Sequence, residues 1–193
     1  LNQSNIGINE TNKYVNSNSS YNNRTIFKVS YSDNLKEFKD NLNYEFTKVL
    51  INDLMNGNMS FAKRFGKVSF INIPDWFSDG AARYTAFGWD IEMDNIIRDY
   101  FLTEDKKSIN KITESKSGFI GQSIWNYISI IYGENTISNI INLAKIIRNP
   151  ERAISSSLGI SFDNFINEWS EYYSQRIFSN FDRGKTDSNK IEI

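Results

Sequence analysis

Two carboxylates stand out as groups that could do chemistry, Glu45 and Asp79. Glu45 lies inside Leu42-Asn43-Tyr44-Glu45-Phe46-Thr47-Lys48-Val49-Leu50, and Asp79 inside Trp76-Phe77-Ser78-Asp79-Gly80. A carboxylate beside a water can serve as a general base. Two carboxylates held about 5–9.5 Å apart across an open cleft can divide acid and base roles, as in glycoside hydrolysis. Tyr44 and Lys48 are the neighbours that would modify such a pair. On a helix, Lys48 falls one turn from Tyr44 and three residues from Glu45, on the same face. Its ammonium would then lie within reach of Glu45. The plainer alternative is that Glu45 and Lys48 are an ordinary surface pair.

Composition removes most other chemistries. The chain of 193 residues holds no histidine and no cysteine. It therefore lacks the usual general base near neutral pH, the commonest zinc ligand, any thiolate nucleophile and any disulfide. A Ser-His-Asp or Cys-His site cannot be built from it. The net charge of −1 and the lack of a basic stripe argue against nucleic acid as a partner. No apolar run is long enough to span a bilayer. The first residues, Leu1-Asn2-Gln3-Ser4, show no signal-peptide pattern and no initiator Met, and suggest a processed chain or an excised piece of a longer protein. A hydrophobic fraction of 39% supports one globular core.

The elements that must position these residues can be read in order. Residues 1–23 are rich in Asn and Ser and read as a flexible N-terminal segment. Arg24 to Tyr31 reads as a strand. Leu35, Phe38, Leu42, Glu45 or Phe46, Val49, Leu50 and Leu54 follow a helical period, behind a cap at Ser32 or Asp33 and ahead of a stop at Asn56-Gly57. That helix would be roughly 33 Å long and would cross the whole domain. Lys67 to Ile73 reads as an extended piece. A short helix opens at Trp76 and stops at Gly88. Another runs from Ile91 to Phe101 behind Asp90, and 103–117 reads as a polar surface loop. Helices follow at Gly118–Tyr132, at Thr136–Arg148 with Asn135 as cap, at Glu151–Leu158 and at Phe162–Phe178 behind Ser161. Residues 179–193 read as a polar tail or linker. The fold class expected is mainly α with a small N-terminal β element, an α+β arrangement, with one domain over 24–178. Trp125, Tyr127 and Trp169 are expected in the core, the alternative being an exposed sugar-binding platform.

Four segments together resemble one family. Tyr44-Glu45-Phe46-Thr47-Lys48 stands where zincin metallopeptidases carry His-Glu-x-x-His, behind a typical lead-in from Tyr31 to Phe38. Pro74-Asp75-Trp76-Phe77-Ser78-Asp79-Gly80-Ala81-Ala82-Arg83-Tyr84 resembles the Trp-Phe-x-Glu-Gly-x-Ala-x-Tyr helix that supplies the third zinc ligand in one gluzincin branch. Phe119-Ile120-Gly121-Gln122-Ser123-Ile124-Trp125-Asn126-Tyr127, closing with Tyr132-Gly133, is similar to the helix that follows. Ala153 to Trp169 resembles the C-terminal helix pair. The likeness covers roughly residues 25–178 and implies a zincin-like, peptidase-like helical domain.

The departures carry the functional expectation. In the family's pattern two histidines bind zinc and the glutamate activates its water. Here Tyr44 and Lys48 replace both histidines, and Asp79 replaces the ligand glutamate with a shorter side chain. Only Glu45 is intact. Zinc needs three protein ligands at about 2.0–2.2 Å, which this set does not supply. The resemblance thus implies a pseudopeptidase with no metal and no cofactor. Tyr44, Glu45, Lys48 and Asp79 would be vestigial, with the Lys48 ammonium taking over the lost dication's electrostatic role and pairing with Asp79, Glu45 or both. The function expected is a protein-binding or scaffold module. The strand at 24–31 would be an edge for an extended peptide. The family's settings imply a bacterial periplasm or envelope assembly, sometimes beside β-propeller repeats. Two alternatives stay open: a metal-independent hydrolase using Glu45 and Asp79, and a purely structural helical domain.

Overall fold

The computed structural model describes residues 19–21, 24–26, 29, 31–56, 73–103 and 114–188. Among these the chain is mostly helical. A short antiparallel pair, β1 (Ser19–Tyr21) and β2 (Arg24–Ile26), precedes seven α-helices. Of the strand expected over 24–31, Arg24–Ile26 is strand and Val29 and Tyr31 are not, while 27, 28 and 30 lie outside the described residues. The extended piece expected at Lys67–Ile73 lies, except for Ile73, outside the described residues.

The helices are α1 (Leu35–Asn56), α2 (Asp75–Phe87), α3 (Ile91–Thr103), α4 (Glu114–Tyr132), α5 (Glu134–Ile147), α6 (Pro150–Leu158) and α7 (Phe162–Ser188). Side chains cap the starts of α1, α3, α6 and α7. The α1 cap is Asn34, whose Oδ1 accepts from the Lys36 and Glu37 amides. Neither Ser32 nor Asp33 caps it: the Ser32 hydroxyl accepts instead from the Asn34 amide and donates to Glu37. Asp90 caps α3 by accepting from the Met93 amide. Asn149 caps α6, with Pro150 in the first turn, where a missing N–H costs nothing. Gly133, not Asn135, precedes α5, and Arg148 ends it in a left-handed conformation, its amide bonded to the Ala144 carbonyl.

Two helix ends lie more than two residues from where the sequence puts them. Helix α4 begins at Glu114, inside the stretch read as loop, because Glu114-Ser115-Lys116-Ser117 carries no apolar period to announce it. Helix α7 continues through Ser188, so the polar tail assigned from 179 onward begins as helix.

The centre of the molecule is α4, not α1. Residues 117–118 and 120–128 are all buried, as expected of a helix covered on every side. Helix α1 buries only Ile51 and Met55 outright and keeps Phe46 and Leu50 exposed. Trp125, Tyr127 and Trp169 are buried, so they belong to the core and form no exposed aromatic platform. The closest crossing is α2 on α4. A Cβ on Gly80 would collide with the Gly121 backbone, and one on Gly121 with the Trp76 carbonyl. Glycine at both positions lets the backbones approach. The Trp125 indole then donates to the Phe77 carbonyl at 3.0 Å, and the Gln122 amide to the Gly88 carbonyl at 2.8 Å.

On its other side α4 is tied to α7. Asn126 donates to the Tyr173 hydroxyl, which donates to the Ser123 carbonyl, and Trp169 donates to the Ser123 hydroxyl. A buried polar network of this kind fixes register because each unpaired member would be costly. Among the described residues no helix is long and apolar enough to cross a membrane.

Candidate functional site

Asp79 lies where α1, α2 and α4 meet. Its position follows from the crossing just described: with Gly80 pressed on α4, the preceding residue turns toward the gap between α4 and α1. Tyr44 of α1 donates its hydroxyl to Asp79 Oδ1. The Lys48 ammonium stands 3.7 Å from the same oxygen and 3.5 Å from the Tyr44 hydroxyl. The Arg83 Nε, one turn along α2, donates to Asp79 Oδ2 at 3.1 Å. Both carboxylate oxygens are therefore engaged, one by α1 and one by α2 itself.

Helix α4 closes the arrangement from below. Gly118 faces the ion pair so closely that a Cβ there would collide with Asp79 Oδ2 and stand 2.7 Å from Arg83 Nε. The next residue, Phe119, carries the Arg83 guanidinium 4.1 Å above its ring centroid. The guanidinium also lies 5.6 Å from the Tyr44 ring, and the Lys48 ammonium 5.1 Å from it. Cations at these distances are attracted by the ring quadrupole. Phe87 packs beside Tyr44 with ring centroids 5.8 Å apart.

The Tyr44 hydroxyl is held far above its ordinary titration range. Burial is the main cause, followed by its hydrogen bond to Asp79 and the Asp79 charge; Arg83 offsets part of this, and Glu45 adds to it. Tyr44 is thus a neutral donor at any physiological pH. Glu45 is partly buried and close enough to Tyr44 to weigh on it.

Of the residues singled out from sequence, Tyr44, Lys48 and Asp79 form one cluster, with Glu45 at its edge. Arg83 and Gly118 were not among them. Arg83 carried a usable signal, an Asp-to-Arg spacing of four on a helix. Gly118 carried none, because its role depends on a contact across the chain.

The fit of this site to a zinc ion can be judged from its donors. The only carboxylate in the cluster's centre already serves two cations and a hydroxyl. Two positive side chains flank the position a dication would need. Tyr44 and Lys48 are poor substitutes for imidazole. Among the described residues no group of three or more Asp or Glu side chains could hold a metal ion. The residues present do not fit zinc.

Comparison with known proteins found no matching family model, no similar curated protein and no similar solved structure.

Proposed function

We propose that this chain is a zincin-like domain without catalysis, a pseudopeptidase that acts as a protein-binding or scaffold module. The observation that supports this reading is the engagement of both Asp79 oxygens by Tyr44, Lys48 and Arg83. In a gluzincin the equivalent carboxylate must be free to ligate metal. Here the helix that would present it is close to the helix that would present the two histidines, and side chains of opposite charge fill the gap. On the resemblance of residues 25–178, such a module would belong to a bacterial envelope assembly and take other proteins as its partners.

The alternative of a carboxylate-pair hydrolase is less well supported. It needs Asp79 open to solvent and unclamped, whereas Lys48 and Arg83 hold it.

The test is restoration. The combined variant Tyr44→His, Lys48→His and Asp79→Glu rebuilds the ligand set but leaves Arg83 on the new carboxylate. Adding Arg83→Gln should release it. The fourfold variant should bind zinc by calorimetry more tightly than the threefold one, and the unaltered chain should bind none at the same concentration. A folded fourfold variant that takes up no zinc would overturn the inherited geometry. Zinc-dependent cleavage of an unfolded protein substrate by the unaltered chain would overturn the non-catalytic reading.

A further inference from the structure

Helix α1 has two unlike faces. Tyr44 and Lys48 meet α2, and Ile51 and Met55, on the same side by their spacing, are buried. At 3.6 residues per turn Phe46 stands about 200° round the helix from Tyr44, on the reverse side. It is the middle of an apolar ridge spaced every four residues, Phe38, Leu42, Phe46, Leu50 and Leu54. Phe46 has a neighbour of its own and is still 53% exposed, Leu50 is 44% exposed, and the other three are half-buried.

The ridge and its charges are placed symmetrically about Phe46. Leu42 and Leu50 stand four residues either side of it, Lys39 and Asp53 seven, and Phe38 and Leu54 eight. A second α1 laid antiparallel across a two-fold axis at Phe46 sets Leu42 against the partner's Leu50, Phe38 against the partner's Leu54 and Lys39 against the partner's Asp53. Each contact then occurs twice, as in any isologous interface. Lys39 and Asp53 are both exposed. The remaining charges do not oppose this. Asp40 would lie opposite the partner's Asn52 and Glu45 opposite the partner's Thr47. Lys36 adds to the basic end, and Glu37 is on the far side, where it accepts from Ser32. A parallel pairing would instead oppose Lys39 to the partner's Lys39 and Asp53 to the partner's Asp53, a repulsion that selects against it.

We propose that this face of α1 binds a second copy of the chain, as an antiparallel helix pair centred on Phe46. Adjoining apolar side chains left exposed on a helix mark an interaction surface. The mirrored order of apolar and charged residues selects the chain itself as the occupant. The surface lies across α1 from Asp79, so it goes beyond the pseudopeptidase reading and does not depend on it.

Sedimentation equilibrium of the full chain, from micromolar to millimolar protein, measures the association. A monomer–dimer equilibrium is expected. Phe46→Asp alters a side chain already half exposed, so it should keep the helical circular dichroism and raise the dissociation constant at least about thirtyfold. Lys39→Asp or Asp53→Lys alone sets like charges against each other twice and should weaken the dimer about tenfold. The two changes in one chain should restore it, since each pair is then reversed and intact. A chain that stays monomeric throughout overturns the surface. A dimer indifferent to Phe46→Asp overturns its location. A double reversal no tighter than the single ones overturns the antiparallel register.

Discussion

Helix α2 meets its two neighbours by opposite means. Toward α4 it offers Gly80 and the Phe77 carbonyl, and the contact is backbone on backbone, dry, with Trp125 sealing it. Toward α1 it offers Asp79 and Arg83, and the contact is side chain on side chain, charged and partly wet. Residues 79 and 80 are neighbours in the chain, yet one belongs to each regime. The difference separates what holds the fold from what gives the site its character. Close packing decides where the helices lie, since interiors tolerate little change in volume. The charged seam is then assembled on a frame it did not have to build.

The comparison breaks most easily on the dry side. Trp125→Ala removes a fully buried indole and its bond to Phe77, and should cost about 3–5 kcal/mol. Gly121→Val drives a branched side chain into the Trp76 carbonyl and should cost on the order of 3 kcal/mol. Urea unfolding followed by circular dichroism measures both. A Gly121→Val variant as stable as the parent would mean that this crossing does not set the frame.

The same contrast explains what could be read in advance. Leu35 through Leu54 announced α1 because a half-exposed helix must alternate its faces, and Gly88 and Asp90 announced the break between α2 and α3 through turn and cap chemistry. Helix α4 was harder to bound, since its first turn, Glu114-Ser115-Lys116-Ser117, is polar although Ser117 is buried. Helix α7 ran past its expected end because residues after Phe178 lack an apolar stripe, yet remain helical to Ser188. Length and amphipathic spacing make α1 look central, and do not reveal that among its described side chains Ile51 and Met55 alone are buried. At the site, Tyr44, Lys48 and Asp79 were legible as a group only through the order of four motifs. Local spacing links Tyr44 with Lys48 and Asp79 with Arg83. It cannot link the two pairs, nor show that Gly118 must be bare.

Alkaline pH extends the comparison to the α4–α7 side of the core, which holds a buried tyrosine as the seam does. Burial raises Tyr173 in the core and Tyr44 in the seam above the ordinary value of 10.0. The unfolded chain loses these protons near pH 10, while the folded chain keeps them. The stability each contributes is therefore complete below about pH 10 and falls as the pH rises toward the folded value. For Tyr173, only 2% exposed, the slope should approach about 1.4 kcal/mol per pH unit. Tyr44 is partly exposed, so its shift is the smaller one and its slope levels off at a lower pH. Urea unfolding at about pH 9 and about pH 11 should show Tyr173→Phe flattening the loss more than Tyr44→Phe. The reverse ranking would make the seam the drier of the two.

The smallest effect is the most specific to the seam. Asp79→Asn leaves two cations facing a neutral amide and should cost about 1–2 kcal/mol, reduced by the exposure of that side chain. Lys48→Gln breaks only contacts of 3.5–3.7 Å on a side chain 38% exposed, and should cost well under about 1 kcal/mol. Combining the two in a double-mutant cycle should give a coupling of about 0.2–1 kcal/mol that shrinks as salt is raised. A coupling larger than this and unmoved by salt would mean that Lys48 and Asp79 form a desolvated pair. The seam would then share the burden of holding α1 to α2.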